Sequence, residues 1–394
     1  MKLYVSTPDF NGCLTVIDLA HRAAKNRLSL VSSRKLKEQT KASYIQKMLR
    51  FSHKGVKYLV LGRRGGTLEV YTETAIPGEA DVDLKPLGRW DGNTKDDKDF
   101  FVSLIFWNDN LCSCSNRGLL VMRNLDVMVH STEVSEQEMN TFYVQLNEPI
   151  TVFKPHSVEK WWAITGGYSN NLRIYNFTNI YQSFVAMVRT GPQFSKAVLS
   201  ARPIWKASLY WSFNQPIEEF PWIQEVIFLE QKADASSTEI CCTTKFGQLL
   251  LYDSSHSYYP ISATTVSNHP VCYVSQISPK FVLFADCADT VGVFDLSSQK
   301  VRNTFRIPTG SLSSMEARVS ATDSSLVYLM VVSILKVLRI YRLDHFGGGA
   351  DLLLAIDLGS TGLQLLTLAE DSWDAVDTCR SLTRIPCTVV GDDF

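Results

Sequence analysis

The chain has 394 residues and a formal net charge of −1, so its overall charge selects neither nucleic acid nor an anionic membrane as a partner. With 45% hydrophobic and 20% charged residues it is not a disordered chain, and its length leaves two or three ordinary domains or one large repeat domain. The nine cysteines are odd in number and lack framework spacing, and no Cys-x-x-Cys or Cys/His pairs stand at ligand spacing, which excludes a disulfide scaffold and a structural zinc site.

From the N-terminus, Met1 to Leu14 shows no apolar signal core, and the longest apolar run, Leu326 to Leu335, is far short of the roughly 18 residues a spanning helix needs. A soluble, intracellular protein is expected. The first strand pair is expected at Leu3–Asp18. A basic stretch follows: His21 to Lys57 holds eleven Lys/Arg against one acid, Glu38. Arg22, Lys25, Arg27, Arg34, Lys35, Lys37 and Lys41, with Arg63 and Arg64 in the next turn, are candidate RNA phosphate contacts, because lysine and arginine displace counterions along a polyanion. The alternative is a solvated loop that balances acidic loops elsewhere. Further hairpins are expected at Tyr58–Glu73 and Leu111–Leu125, separated by Asp91–Asp99, a surface loop without the ligand pattern of a calcium-binding EF-hand.

The next hairpin is Trp161–Phe177. Arg189 to Trp222 then reads as an extended inter-blade loop bearing Pro192, Pro203, Pro216 and Pro221. Its Trp205, Tyr210, Trp211, Phe213 and Trp222 are candidate protein-contact residues, since aromatic side chains dominate interface hot spots; the alternative is a local core over a blade edge. The remaining hairpins are Glu239–Ser254, Phe281–Leu296 and Val327–Asp344. Additional strands fit at Phe101–Trp107, Ile150–Phe153, Ile223–Leu229 and Val271–Ile277, and two apolar runs, Leu352–Leu358 and Leu363–Leu368, close the series.

Cys112/Cys114 and Cys241/Cys242 fall inside apolar strand-like runs and are expected as buried free thiols of a reducing compartment. No Gly-x-Ser-x-Gly elbow and no His-x-x-x-His pair occurs. Gly347–Gly349 is not followed by Lys-Ser/Thr and is no P-loop; Thr309–Ser311 reads as a blade turn. No catalytic residue, cofactor site or metal site is assigned.

Seven hairpins recur, mostly every 40 to 55 residues with one longer gap between the fourth and fifth, the spacing of WD-type propeller blades. The expected fold is an all-β, seven-bladed WD40-type β-propeller over residues 1–369. It has a basic segment at 21–57 and an insertion at 189–222, and its ring is closed by a C-terminal strand that joins the N-terminal blade. Residues 370–394 are expected as a short acidic extension and a candidate for disorder. Two separate β-sandwiches would not explain the near-regular period.

Several stretches carry a family resemblance. These are Gly166–Phe177 (GGYSNNLRIYNF), Ile204–Ala207 (IWKA), Pro221–Trp222 leading into Ile227–Leu229, Thr243–Asp253, Val293–Asp295, Thr309–Leu312 and Val337–Tyr341. Together the chain resembles the nucleolar WD-repeat assembly factor of the large ribosomal subunit, the Nop-seven-associated, number-one type, with its animal WD-repeat counterpart. The match runs over about Trp161 to Leu368, with a weaker one at Met1 to Val16. The chain departs from that family at Ser208–Phe220, at Val331–Ser333, where Gly-Gly is usual, and at its acidic end, where the family carries lysines. The resemblance implies a non-catalytic scaffold without membrane or small-molecule substrate. Its implied partners are pre-60S particles: pre-rRNA, ribosomal proteins and nucleolar assembly factors. It also implies a role in rRNA processing, release by an AAA-type ATPase, and a place in the nucleus and nucleolus. One rival is a WD-repeat adaptor of a ubiquitin ligase or signalling complex. Another is a propeller enzyme, which would gather perturbed carboxylates or histidines at the ring centre.

Overall fold

In a computed structural model of the chain, the described residues are 2–6, 14–22, 27–35, 45–75, 82–91, 99–130, 140–146, 149–169, 172–190, 198–208, 210–212, 215–216, 221–230, 239–307, 312–319, 326–333, 337–344, 350–357 and 364–368. The side chains of the first three strands are not among them. Short apolar runs alternate with glycine or polar turns, so the chain folds back repeatedly into antiparallel sheets. The N-terminal sheet has three strands, β1 (Lys2–Ser6), β2 (Leu14–Arg22) and β3 (Arg27–Lys35). Blade 1 comprises β4 (Ile45–His53), β5 (Val56–Arg63), β6 (Thr67–Ala75) and β7 (Val82–Asp91). Blade 2 holds β8 (Phe101–Trp107), β9 (Asn110–Ser115), β10 (Leu119–Asn124), the short helix α1 (Leu125–His130) and β11 (Thr141–Gln145).

Blade 3 begins with β12 (Val152–Pro155), β13 (Trp162–Gly166) and β14 (Arg173–Asn176). Before its last strand the chain makes an excursion. Helix α2 (Thr178–Thr190) comes first, then β15 (Val198–Ser200), which adds parallel to β11 of blade 2, and β16 (Trp205–Lys206) returns to β14. A small hairpin, β17 (Tyr210–Ser212) and β18 (Gln215–Pro216), leads on to blade 4. That blade is β19 (Ile223–Phe228), β20 (Glu239–Thr244), β21 (Gln248–Asp253) and β22 (Ser262–Thr265). Blade 5 is β23 (Val271–Ser278), β24 (Phe281–Asp286), β25 (Thr290–Asp295) and β26 (Lys300–Arg306). Blade 6 is β27 (Leu312–Val319), β28 (Leu326–Ser333), β29 (Val337–Asp344), β30 (Ala350–Asp357) and β31 (Gln364–Leu368).

The inner strands β4, β8, β12, β19, β23 and β27 touch in succession and wall a central channel. Each blade therefore buries both faces, which is why second strands such as β9 and β24 are buried at every position while the outer β26 alternates. A separate apolar core fills each junction between successive blades. Tyr58, Val60, Phe101 and Leu111 join blades 1 and 2, and Trp107, Phe142, Phe153 and Tyr175 join blades 2 and 3. Ile164, Ile174, Ile223 and Tyr252 fill the next junction, Leu249, Val274, Phe284 and Phe294 the one after, and Leu283, Val293, Leu312 and Leu329 the last.

All seven expected hairpins form, as β1–β2, β5–β6, β9–β10, β13–β14, β20–β21, β24–β25 and β28–β29. The expectation of seven blades is corrected to six complete blades, because among the described residues the N-terminal sheet has three strands. Closure by a C-terminal strand joining the N-terminal blade is corrected too. β31 contacts β3, yet its backbone pairs antiparallel with β30 and lengthens blade 6 to five strands. Only a short connection separates β30 from β31, and pairing across a short loop costs less chain entropy than reaching a distant sheet. No described helix is long and apolar enough to cross a membrane.

Helix α2 precedes the expected inter-blade loop and overlaps it only at Arg189 and Thr190; no element is expected there from the sequence. The Asn176 side chain accepts the Thr178 N–H at 2.9 Å, capping its start. Ile180, Tyr181 and Phe184 turn to the junction of blades 2 and 3, where Tyr181 stacks on Trp161 (4.2 Å between centroids) and Phe184 meets Phe142 (4.8 Å).

Candidate interaction surfaces

Antiparallel blades place successive turns on alternate faces. The turns between second and third strands share one face with the entries to the inner strands. The ends of the inner strands open on the other.

On that second face, at the channel mouth, lies a cavity of about 530 Å³ lined in part by Lys154, Glu225, Tyr273, Ser275, Glu316 and Arg318. Lys154 Nζ lies 3.4 Å from Glu225 Oε1, and Arg318 Nη2 lies 3.0 Å from Glu316 Oε1. The Tyr273 hydroxyl accepts the Ala317 N–H at 2.9 Å, and burial pushes its own ionisation up. Lys47 reaches into the channel from β4. Burial lowers its ammonium from 10.5 to about 8, with Glu225 opposing that shift and Lys154 adding to it. The Lys154–Glu225 and Arg318–Glu316 pairs set charges of both signs at this mouth. Among the described residues no group of three His, Cys, Asp or Glu is placed to hold a metal ion.

The residues singled out from sequence fall in different settings. Arg22 and Arg27 pair across the β2–β3 hairpin, and Arg34 and Lys35 lie opposite Val16 and Thr15. Lys25, Lys37 and Lys41 lie outside the described residues. Arg63, at the end of β5, is buried. Its Nε and Nη2 donate to Glu69 Oε2 at 2.7 and 2.6 Å, while Arg89 grips Glu69 Oε1 and the Tyr71 hydroxyl donates at 3.1 Å. Burial alone would raise the Glu69 carboxyl, and the bonds from Arg63, Arg89 and Tyr71 overcome it and hold the group below the usual range. Arg64 is half-buried on the neighbouring turn.

Trp205 is buried, with Nε1 donating to the Ser257 carbonyl at 3.0 Å and its ring edge-on to Tyr252, so it ties blade 3 to blade 4. Tyr210 and Trp211 form β17, and Phe213 lies outside the described residues, as do Thr309–Ser311, Gly347–Gly349 and 369–394. Trp222 is half-buried on the first face. The Ile223 N–H donates to the Gly167 carbonyl at 3.0 Å, and the Lys245 N–H donates to the Trp222 carbonyl at 2.9 Å, fastening three loops together. Above these bonds Tyr168 meets Trp222 edge-on (5.3 Å, 88°), and Lys245 Nζ lies 4.4 Å over the Trp222 ring. Tyr168, Trp222 and Lys245 lie far apart along the chain, and only the turns bring them together.

His156 caps the β12–β13 turn, its Nδ1 accepting from the Val158 and Glu159 N–H groups at 3.0 Å. Of the described cysteines, Cys112, Cys114, Cys241, Cys242 and Cys272 are buried free thiols and Cys287 is half-buried. Burial pushes the Cys241 thiol up to about 12 and Cys112, Cys114 and Cys242 further still.

No known family profile matches the chain. The ribosome biogenesis protein nsa1 of Schizosaccharomyces pombe is 31% identical over 105 residues, a match covering 24% of this chain and 27% of that protein. The chain is similar to a ribosome biogenesis protein. The match spans about a quarter of that relative's length. Sqt1 of Chaetomium thermophilum, solved bound to the N-terminus of the ribosomal protein L10, superposes with a TM-score of 0.54 at 14% identity, covering 89% of this chain and 86% of that one. Saccharomyces cerevisiae Sqt1 gives 0.54 at 10% identity over 89% and 83% of the two chains, and the C-terminal WD40 domain of Sif2 gives 0.50 at 12% over 89% and 86%. At these identities the likeness is one of fold: a WD40-type β-propeller.

Proposed function

We propose that this chain is a non-catalytic scaffold of ribosome biogenesis that binds precursors of the large subunit in the nucleolus. The observation that carries this reading is the match to the ribosome biogenesis protein nsa1, set on a propeller whose faces and rim offer many separate contact sites. Pre-rRNA, ribosomal proteins and assembly factors are the proposed partners, and rRNA processing is the step supported. Release by an AAA-type ATPase belongs to the same proposal. So do RNA contact through Arg22, Lys25, Arg27, Arg34, Lys35, Lys37, Lys41 and Arg64, and protein contact through the segment that bears Tyr210, Trp211 and Phe213. The scaffold would hold one intermediate shape of the particle and then leave.

Affinity purification of the tagged chain, with and without RNase, tests the reading. Large-subunit proteins, nucleolar assembly factors and precursor rRNA are expected in the eluate. Charge reversal at Arg34, Lys35, Lys37 and Lys41 should reduce the rRNA recovered. An eluate free of ribosomal precursors and dominated by a ligase or signalling complex would refute it.

A further inference from the structure

The face that carries the β5–β6, β9–β10, β13–β14 and β20–β21 turns combines rings and positive charge. Tyr168 is 54% exposed and Phe246 43% exposed, both at turn tips where a folded chain normally places polar groups. Neither ring is loosely hung. The turn that presents Lys245 and Phe246 closes through Gly247, whose φ is +77° and where a Cβ would collide with the Ser267 carbonyl oxygen. The Gly167–Ile223 and Trp222–Lys245 backbone bonds lock that turn to the Tyr168 turn. Arg64 and Arg117 stand on the two preceding turns of the same face, Arg117 exposed. Over these four turns the described residues include no exposed carboxylate.

We propose that Tyr168, Trp222, Lys245 and Phe246 form a stacking platform for single-stranded RNA, its backbone running toward Arg117 and Arg64. Exposed rings present π-faces to unpaired bases, and a lysine beside them meets the phosphates; that pairing is the general means of holding single strands. A protein partner would also use the rings, yet interface cores deplete lysine, and exposed Lys245 and Arg117, on turns whose described residues include no exposed carboxylate, favour a polyanion. The choice of RNA over DNA rests on the ribosome-biogenesis reading. Trp222 thereby passes from a protein-contact candidate to an RNA-contact residue.

Fluorescence anisotropy of labelled oligouridine, titrated with the full 394-residue chain, tests the platform. Tyr168→Ala with Phe246→Ala should weaken binding roughly tenfold or more, and Tyr168→Phe should restore most of the loss at that position. Lys245→Glu should weaken binding and flatten the salt dependence by about one phosphate contact. Both rings are exposed, so thermal melts of these variants should match the parent, which separates lost binding from lost folding. A same-length RNA duplex should bind more weakly. The platform is overturned if the parent does not bind oligouridine, or if the double alanine variant binds as the parent does. It is also overturned if that variant loses an RNase-resistant protein partner while RNA affinity stays. If charge reversal at Arg34, Lys35, Lys37 and Lys41 alone abolishes RNA binding, the platform falls and the biogenesis reading stands. If the platform binds oligouridine but the tagged chain recovers no precursor rRNA from cells, the biogenesis reading falls and the platform stands.

Discussion

Lys47 shows how a single charge is treated inside the ring. Its ammonium is held in the channel, and burial moves its pKa from 10.5 to about 8. The folded chain therefore releases this proton at lower pH than the unfolded chain. The cost of keeping Lys47 charged is full below about pH 8 and fades as pH rises toward 10.5. Lys47→Met should raise the melting temperature at neutral pH, and scanning calorimetry should show that advantage shrinking across the same window. A constant advantage at every pH would mean the lysine is not desolvated. Arg63 makes the complementary point. Read along the chain it belongs to a basic Arg-Arg turn, but Glu69, six residues away, faces it across the β5–β6 hairpin and takes its guanidinium into the core.

At the scale of elements, the hairpins were legible because a strand buried on both faces reads as a continuous apolar run, and each run is bounded by a turn residue. Helix α2 had a signal of its own. Asn176 stands at the cap, and Ile180, Tyr181, Phe184 and Val185 recur at helical spacing, a stripe a little under two turns long. The aromatic stacks of Tyr181 and Phe184 place the helix against two blades at once, and β15 adds a parallel strand to the first of them. The excursion thus straps blade 2 to blade 3. Tyr181→Ala should cost roughly 2 kcal/mol in chemical denaturation, from lost stacking and burial. A change within error would show that the helix contributes nothing to the junction.

At the scale of the molecule, each junction between the six blades has its own core, so no complete blade is stable with its faces bare. The buried thiols of blades 2, 4 and 5 report on this directly. Alkylation read by mass spectrometry along a urea gradient should find Cys114, Cys242 and Cys272 protected together and exposed at one midpoint. Well-separated midpoints would show blades that open independently. The ring also explains why the surfaces were only partly legible. Gly166–Phe177 and Pro221–Trp222 were recognisable as motifs, yet the contacts of Tyr168 and of Lys245 with Trp222 depend on which turns share a face.

The alternation of apolar runs and turns determined, from sequence alone, an all-β repeat with seven hairpins, their positions and four of the inner strands, β8, β12, β19 and β23, because burial on a pleated strand is a local, periodic property; β4, inside the basic segment, and β27 were not read. Blade completeness was decided only in three dimensions. Whether β31 pairs with β30 or with the N-terminal sheet depends on competing edges, and the short connection from β30 favours the nearer one. The same holds for charge. Sequence counts the cations, but only the packing of blades decides that Arg63 is buried against a carboxylate, that Lys47 faces a channel, and that Lys245 lies over an indole at the surface.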